Sequence, residues 1–196
     1  LCLEYPIAQP GGTEVLVSEL VRGFSKRHQV ILVSLDDKAS LERASVGSLL
    51  AGHISLETFP LTRERSVRLA KELTELRVDL AHFHFGGNYG WRNRTWWECP
   101  ITHLARCGIP CLSTNHGAFS IIDGYCAPQR PALMKLALLP PAWLSKQIVL
   151  SRLNCEVAVS QHDYHALRRW YWPMRGKFRQ IYHSRLPEVP RPSGAE

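Results

Sequence analysis

Short apolar runs and segments of helical period alternate along the chain. Residues 1–5 form an apolar run, residues 6–12 a loop with proline and glycine, and residues 13–28 a segment in which Leu16, Val17, Leu20, Val21 and Phe24 recur at helical spacing. Thr13 stands where a helix N-cap is expected. Residues 29–35, QVILVSL, make a continuous apolar run with β-branched side chains, the pattern of a strand covered on both faces. The same rhythm predicts helices at 38–51, 62–76, 95–107, 132–153 and 161–170, and strands at 53–59, 78–85, 109–114, 156–159 and 178–182. Pro140 and Pro141 are expected to kink the helix that contains them. Strands that alternate with helices predict an α/β fold: a Rossmann-like, doubly wound, mainly parallel sheet flanked by helices.

Length and composition add boundaries. With 196 residues and 45% hydrophobic side chains the chain can bury a full core, read here as one domain over residues 1–186. The tail 187–196, PEVPRPSGAE, reads as a linker toward a missing C-terminal domain of the same chain. The most apolar region, 133–153, is interrupted by Pro140, Pro141, Lys146 and Gln147, so no segment reads as membrane-spanning. Residues 1–6 carry no cationic leader and read as a strand rather than a secretory signal. Six cysteines show neither CxxC pairing nor zinc-finger spacing with histidine, which favours reduced thiols and a cytoplasmic placement. The formal charge of +7 has clusters at Arg63, Arg65, Arg68 and Lys71 and at Arg168, Arg169, Arg175, Lys177 and Arg179. They suit an anionic partner, whether a nucleotide diphosphate or the inner face of a membrane touched peripherally, and equally a solvated basic surface. No aromatic–basic interleaving or recognition helix points to nucleic acid.

In a parallel sheet, ligands gather beyond the carboxyl ends of the strands, so the loops that follow strands carry the candidate chemistry. The first contains Gly11, Gly12, Thr13 and Glu14; paired glycines before a helix let backbone amides approach a phosphate, and an ordinary glycine turn is the alternative. GxGxxG and the P-loop lysine are both absent. The second loop follows residues 78–85 and holds His84, Gly86, Gly87, Asn88, Tyr89 and Trp91; amides suit sugar hydroxyls and aromatic faces suit a pyranose ring. Strand alternation puts His82 and His84 on one face, a metal-binding alternative that needs His116 and a carboxylate such as Asp123 to converge. The third loop presents His116 and Gly117, and His116 can donate to or accept from a sugar hydroxyl or a reacting group. Ser160 ends the strand 156–159 and reads first as a helix N-cap, second as a cleft-lining group. No GxSxG surrounds it.

Taken in order, Gly11-Gly12-Thr13-Glu14, Val78 to His84, Ile109-Pro110 through Thr114-Asn115-His116-Gly117, and Cys155 to Ser160 resemble the N-terminal domain of the retaining GT-B glycosyltransferases of family 4. The resemblance covers nearly the whole chain. It implies a metal-independent transfer from a nucleotide-sugar donor, with retained anomeric configuration, to a saccharide or lipid-linked acceptor; it implies no cofactor. By resemblance His116 is the cleft histidine that contacts the transferred sugar, and the glycine loop approaches the donor diphosphate or the acceptor. The family's basic pair and E-x7-E motif belong to a second domain, so this domain alone is expected to be inactive and the full-length protein hexosyltransferase-like. Two departures stand out: Arg27-His28 where the family has Gly-His, and His183-Ser184-Arg185 where it has Pro-Asn-Gly. The competing reading is a stand-alone α/β module that binds a nucleotide or carbohydrate without chemistry.

Overall fold

The computed structural model describes residues 1–7, 11–58, 61–87, 91 and 99–182. Among these, seven strands form one sheet: β1 (Cys2–Leu3), β2 (Ile31–Ser34), β3 (Gly52–Ser55), β4 (Ala81–Phe85), β5 (Cys111–Asn115), β6 (Cys155–Ala158) and β7 (Phe178–Gln180). Their order is β3-β2-β1-β4-β5-β6-β7, and every pairing is parallel. Parallel neighbours need crossovers rather than hairpins. The crossovers carry α1 (Gly12–Phe24), α2 (Lys38–Arg43), α3 (Arg63–Glu75), α4 (Pro100–Arg106), α5 (Ala132–Arg152) and α6 (Gln161–Trp170). The doubly wound α/β architecture expected from the pattern is the observed one.

Alternation along the strands sorts side chains onto the two faces. Leu3 and Leu32 enter a smaller core with Val17 and Val21 of α1 and Leu41 of α2. Their neighbours Cys2 and Val33 enter the larger core, with Leu69 and Leu73 of α3, Ile101 and Leu104 of α4, and Leu150 of α5.

Three elements depart from the expected pattern. Gly11, in extended backbone, is the N-cap of α1, so Thr13 lies inside the first turn and caps nothing. The buried stripe of α1 is Glu14, Val17, Ser18 and Val21, an i, i+3, i+4, i+7 set that leaves Phe24 41% exposed. The single helix expected over 38–51 ends at Arg43, because Ser45 adopts a left-handed backbone (φ 55°) before a short 3-10 turn at Gly47–Leu49. Its start is sharply set: Asp37 Oδ1 accepts from the Ser40 amide at 2.7 Å. Finally, α5 runs through Pro140 and Pro141, and all of its buried residues lie after them. The segment 183–196, with the departure at His183 and the linker, lies outside the described residues, as do residues 95–98 of the helix expected over 95–107, whose described part is α4.

Candidate functional site

The strand order changes direction at β1, which has β2 on one side and β4 on the other. At such a switch point the flanking loops diverge and open a crevice beyond the strand ends. Glu4, directly after β1, spans that point: the Gly86 amide after β4 donates to Glu4 Oε1 at 2.6 Å, and Tyr5 and the Trp91 amide also hydrogen-bond the carboxylate. Only 4% of Glu4 is exposed, and burial pushes its carboxyl up to about 7 against the opposing pull of those donors. Glu4 was not a sequence candidate, although a lone carboxylate inside the apolar run LCLEY is a readable signal.

The loops after β4, β5 and β6 are tied into one rim. The Gly87 amide donates to the Gly117 carbonyl at 2.6 Å, and the His116 amide to the Phe85 carbonyl at 2.9 Å. Gly87 has φ +76°, a left-handed backbone suited to glycine, and a side chain there would press on the Asp123 carboxylate. Gly117 is held by Asn115 Oδ1, and the Ala118 amide donates to Asp163 Oδ1 at 3.2 Å. Ser160 accepts from the Asp163 amide at 3.0 Å and donates to Asp163 Oδ2 at 2.6 Å, so the expected N-cap is present and its hydroxyl proton is committed to that cap. Asp163 completes an S-x-x-D capping box, legible in sequence but not singled out there.

Three imidazoles lie in a row along this rim. His82 and His84 face the same way, with ring centroids 4.2 Å apart, and the His84 and His116 rings stack at 5.5 Å. His84 Nδ1 and His116 Nε2 are 3.2 Å apart, so one ring donates and the other accepts. His82 Nε2 meets Thr114 Oγ1 at 2.8 Å. Among the described residues no group of three or more His, Cys, Asp or Glu is arranged to hold a metal ion. The convergence that the metal alternative needs is not made, because Asp123 turns toward Gly87 and accepts from the Phe119 amide instead.

One expectation for sugar contacts changes. Trp91 is fully buried at a left-handed φ of 64°, donates its indole N–H to the His84 carbonyl at 3.0 Å, and packs edge-on to Phe83. Its ring belongs to the core and offers no face to a pyranose. In the first loop, the Glu14 carboxylate lies where a side chain on Gly11 would go, while Gly12 opens onto empty space. A carboxylate over the start of α1 complements the helix dipole. Asn88 and Tyr89 lie outside the described residues.

Glu4 and His82 give the rim opposed proton linkages. Glu4, raised from 4.5 to about 7, makes the folded protein bind the extra proton, so its share of stability is lost as pH rises through that window. His82, lowered from 6.5 to about 4, first by burial and then by neighbouring positive charge, makes the folded protein bind one proton fewer, and its share is lost as pH falls. Each slope spans about 3 kcal/mol, and they cancel where the windows overlap. Denaturant titrations of wild type and His82→Asn at a series of pH values are expected to separate them: a nearly level wild-type profile between the two carboxylate values, and a variant whose stability declines with rising pH. A level variant profile would refute the assignment.

The model for Glycosyltransferase Family 4 matches residues 10–184. Among solved structures, the crystal structure of a glycosyltransferase from Rickettsia africae ESF-5 superposes with a TM-score of 0.54 and 14% identity, over 92% of this chain and 41% of that one. At that identity the likeness concerns the fold, and the chain spans about two-fifths of the other protein's length. No curated protein matches.

Proposed function

Because the chain belongs to glycosyltransferase family 4, we propose that it is the acceptor-side lobe of a retaining, metal-independent, hexosyltransferase-like enzyme that moves a sugar from a nucleotide-sugar donor to a saccharide or lipid-linked acceptor. The observation that carries this reading is the single hydrogen-bonded rim at the carboxyl ends of β1, β4, β5 and β6, from Glu4 and Gly86 through His116 and Gly117 to Ser160. In the proposed roles His116 contacts the transferred sugar. His84 orients the His116 ring through the Nδ1 to Nε2 hydrogen bond, and Glu4 holds the loop after β4 in place. Glu14, with Gly11, Gly12 and Thr13, faces hydroxyls rather than phosphate. Gly86 and Gly87 border the crevice, and Gly117 brings the β5 loop close to it; Asn88, next in sequence after Gly87, is proposed to meet a sugar hydroxyl.

A facing domain of the same full-length protein would supply the donor diphosphate's cationic partners and exclude water, which is why the isolated lobe is expected to be inactive. The test is a transfer assay with the protein extended by whatever its gene encodes after Glu196, over a panel of nucleotide sugars. Transfer with retained configuration, unchanged by a metal chelator, is the expected outcome. Inversion at the anomeric carbon, or loss of turnover on chelation that added metal restores, would refute that part of the reading.

A further inference from the structure

A second surface, apart from the rim, has the chemistry of a membrane contact. The first eight residues of α5, ALMKLALL, are apolar all round except for Lys135, yet none of them is buried. Leu133 is 80% exposed and Leu136 62%. Pro140 and Pro141 each lack a helical N–H donor, and every buried residue of the helix lies after them, so the second half packs into the domain while the first half stays exposed. Where the halves meet, Ile121, Leu139, Pro140, Trp143 and Leu144 line an apolar groove. Phe119, two residues before Ile121, is 88% exposed.

Charge identifies what fits there. Between Gly124 and Tyr182 the sequence has nine Lys and Arg against two acids, a surplus of seven that equals the formal charge of the whole chain. Both acids, Glu156 and Asp163, are buried and engaged, with Lys146 and with Ser160. Arg130 sits just before the projecting turns and Lys135 within them, whereas Lys177 reaches the opposite end of α5, where its ammonium donates to the Leu153 carbonyl at 2.7 Å. The α3 cluster seen in the sequence is different: Arg65 and Arg68 both bond Glu72, and Lys71 pairs with Glu75. Exposed leucine beside unneutralised cations matches the acyl and headgroup layers of an anionic bilayer. No helix of the described residues is long and apolar enough to cross a membrane, so the contact is an interfacial one.

We propose that residues 132–139, at the start of α5, seat this lobe on an anionic lipid bilayer. The contact places the loop after β5, from His116 to Phe119, toward the lipid. Resting on the transfer reading above, this selects a lipid-linked acceptor over a soluble saccharide; the docking itself stands without it.

Flotation of the full-length protein with phosphatidylcholine vesicles, with and without phosphatidylglycerol, tests the contact. Wild type is expected to float with the anionic vesicles and to be released by salt. Leu133→Glu with Leu136→Glu should weaken partitioning by roughly thirtyfold or more, and Arg130→Ala or Lys135→Ala by about fivefold each. Arg65→Ala with Arg68→Ala should leave it unchanged. Hydrogen exchange over residues 132–139, slowed by added anionic vesicles, gives the same answer on the unaltered protein. Wild type that stays in solution, glutamate variants that bind as wild type does, or self-association through these leucines in place of vesicle binding would each overturn the proposal. Transfer to a soluble saccharide with vesicle binding intact would refute only the acceptor assignment.

Discussion

Lys146→Met is expected to destabilise the protein by about 3–5 kcal/mol, because it strands the Glu156 carboxylate in the core. Lys146 reaches from the docked half of α5 to Glu156 of β6 at 2.6 Å, with 1% and 0% of the two side chains exposed. Its ammonium also lies 4.9 Å from the centre of the Phe85 ring. Glu156 Oε2 accepts a further bond from Ser113 of β5 at 3.1 Å, whereas Oε1 has no partner among the described residues. The pair therefore holds little in reserve: removal of the cation leaves a desolvated anion with one hydroxyl. For a domain of this size the melting temperature should fall by roughly 10 °C. Adding Glu156→Leu should recover most of the loss, leaving about 1 kcal/mol for the Ser113 hydroxyl that loses its acceptor. Thermal melts of the two single variants and the double variant measure the coupling directly. A double variant no more stable than Lys146→Met would show that the cost lies in packing and not in charge.

His116→Ala is expected to lower kcat/KM for sugar transfer by about a hundredfold to a thousandfold in the full-length protein, with the melting temperature nearly unchanged. The expectation follows from its place: a half-buried ring beyond β5, held by its own amide on Phe85 and by the stacked His84. His84→Gln should cost less, about tenfold, since the glutamine amide can still meet the His116 ring and His84 acts only through it. Equal losses in the two variants would mean that both imidazoles touch the substrate. A His116→Ala enzyme within a factor of about two of wild type would remove this residue from the chemistry.

Periodicity made most of the fold legible, because parallel strands buried on both faces leave long apolar runs and each crossover a helical stripe. The errors came where tertiary contacts outweigh local pattern. The inward face of α1 includes Glu14 and Ser18, which no hydrophobic period reveals, since the carboxylate serves the helix's own start. Trp91 reads as a surface aromatic beside glycines, yet it is fully buried against Phe83. At the candidate site the strand-end residues were visible singly: His84, His116 and Ser160 by position, and Gly86, Gly87 and Gly117 by composition. What joins them was not. The bonds from Gly86 to Glu4, Gly87 to Gly117 and Ala118 to Asp163 link segments far apart in the chain, and spacing carries no record of them.

An interior strand of the sheet, β1, consists of Cys2 and Leu3 alone. Cys2 has Val33 on one side and Phe83 on the other, so among the described strands β1 alone bridges the β3-β2 pair and the β4-to-β7 group. Because β1 precedes β4 by nearly eighty residues, the arch cannot close until β4 has been synthesised, and any product that stops before it shows an open edge on β1. Loss of β1 should split the layer into two smaller plates rather than trim its border.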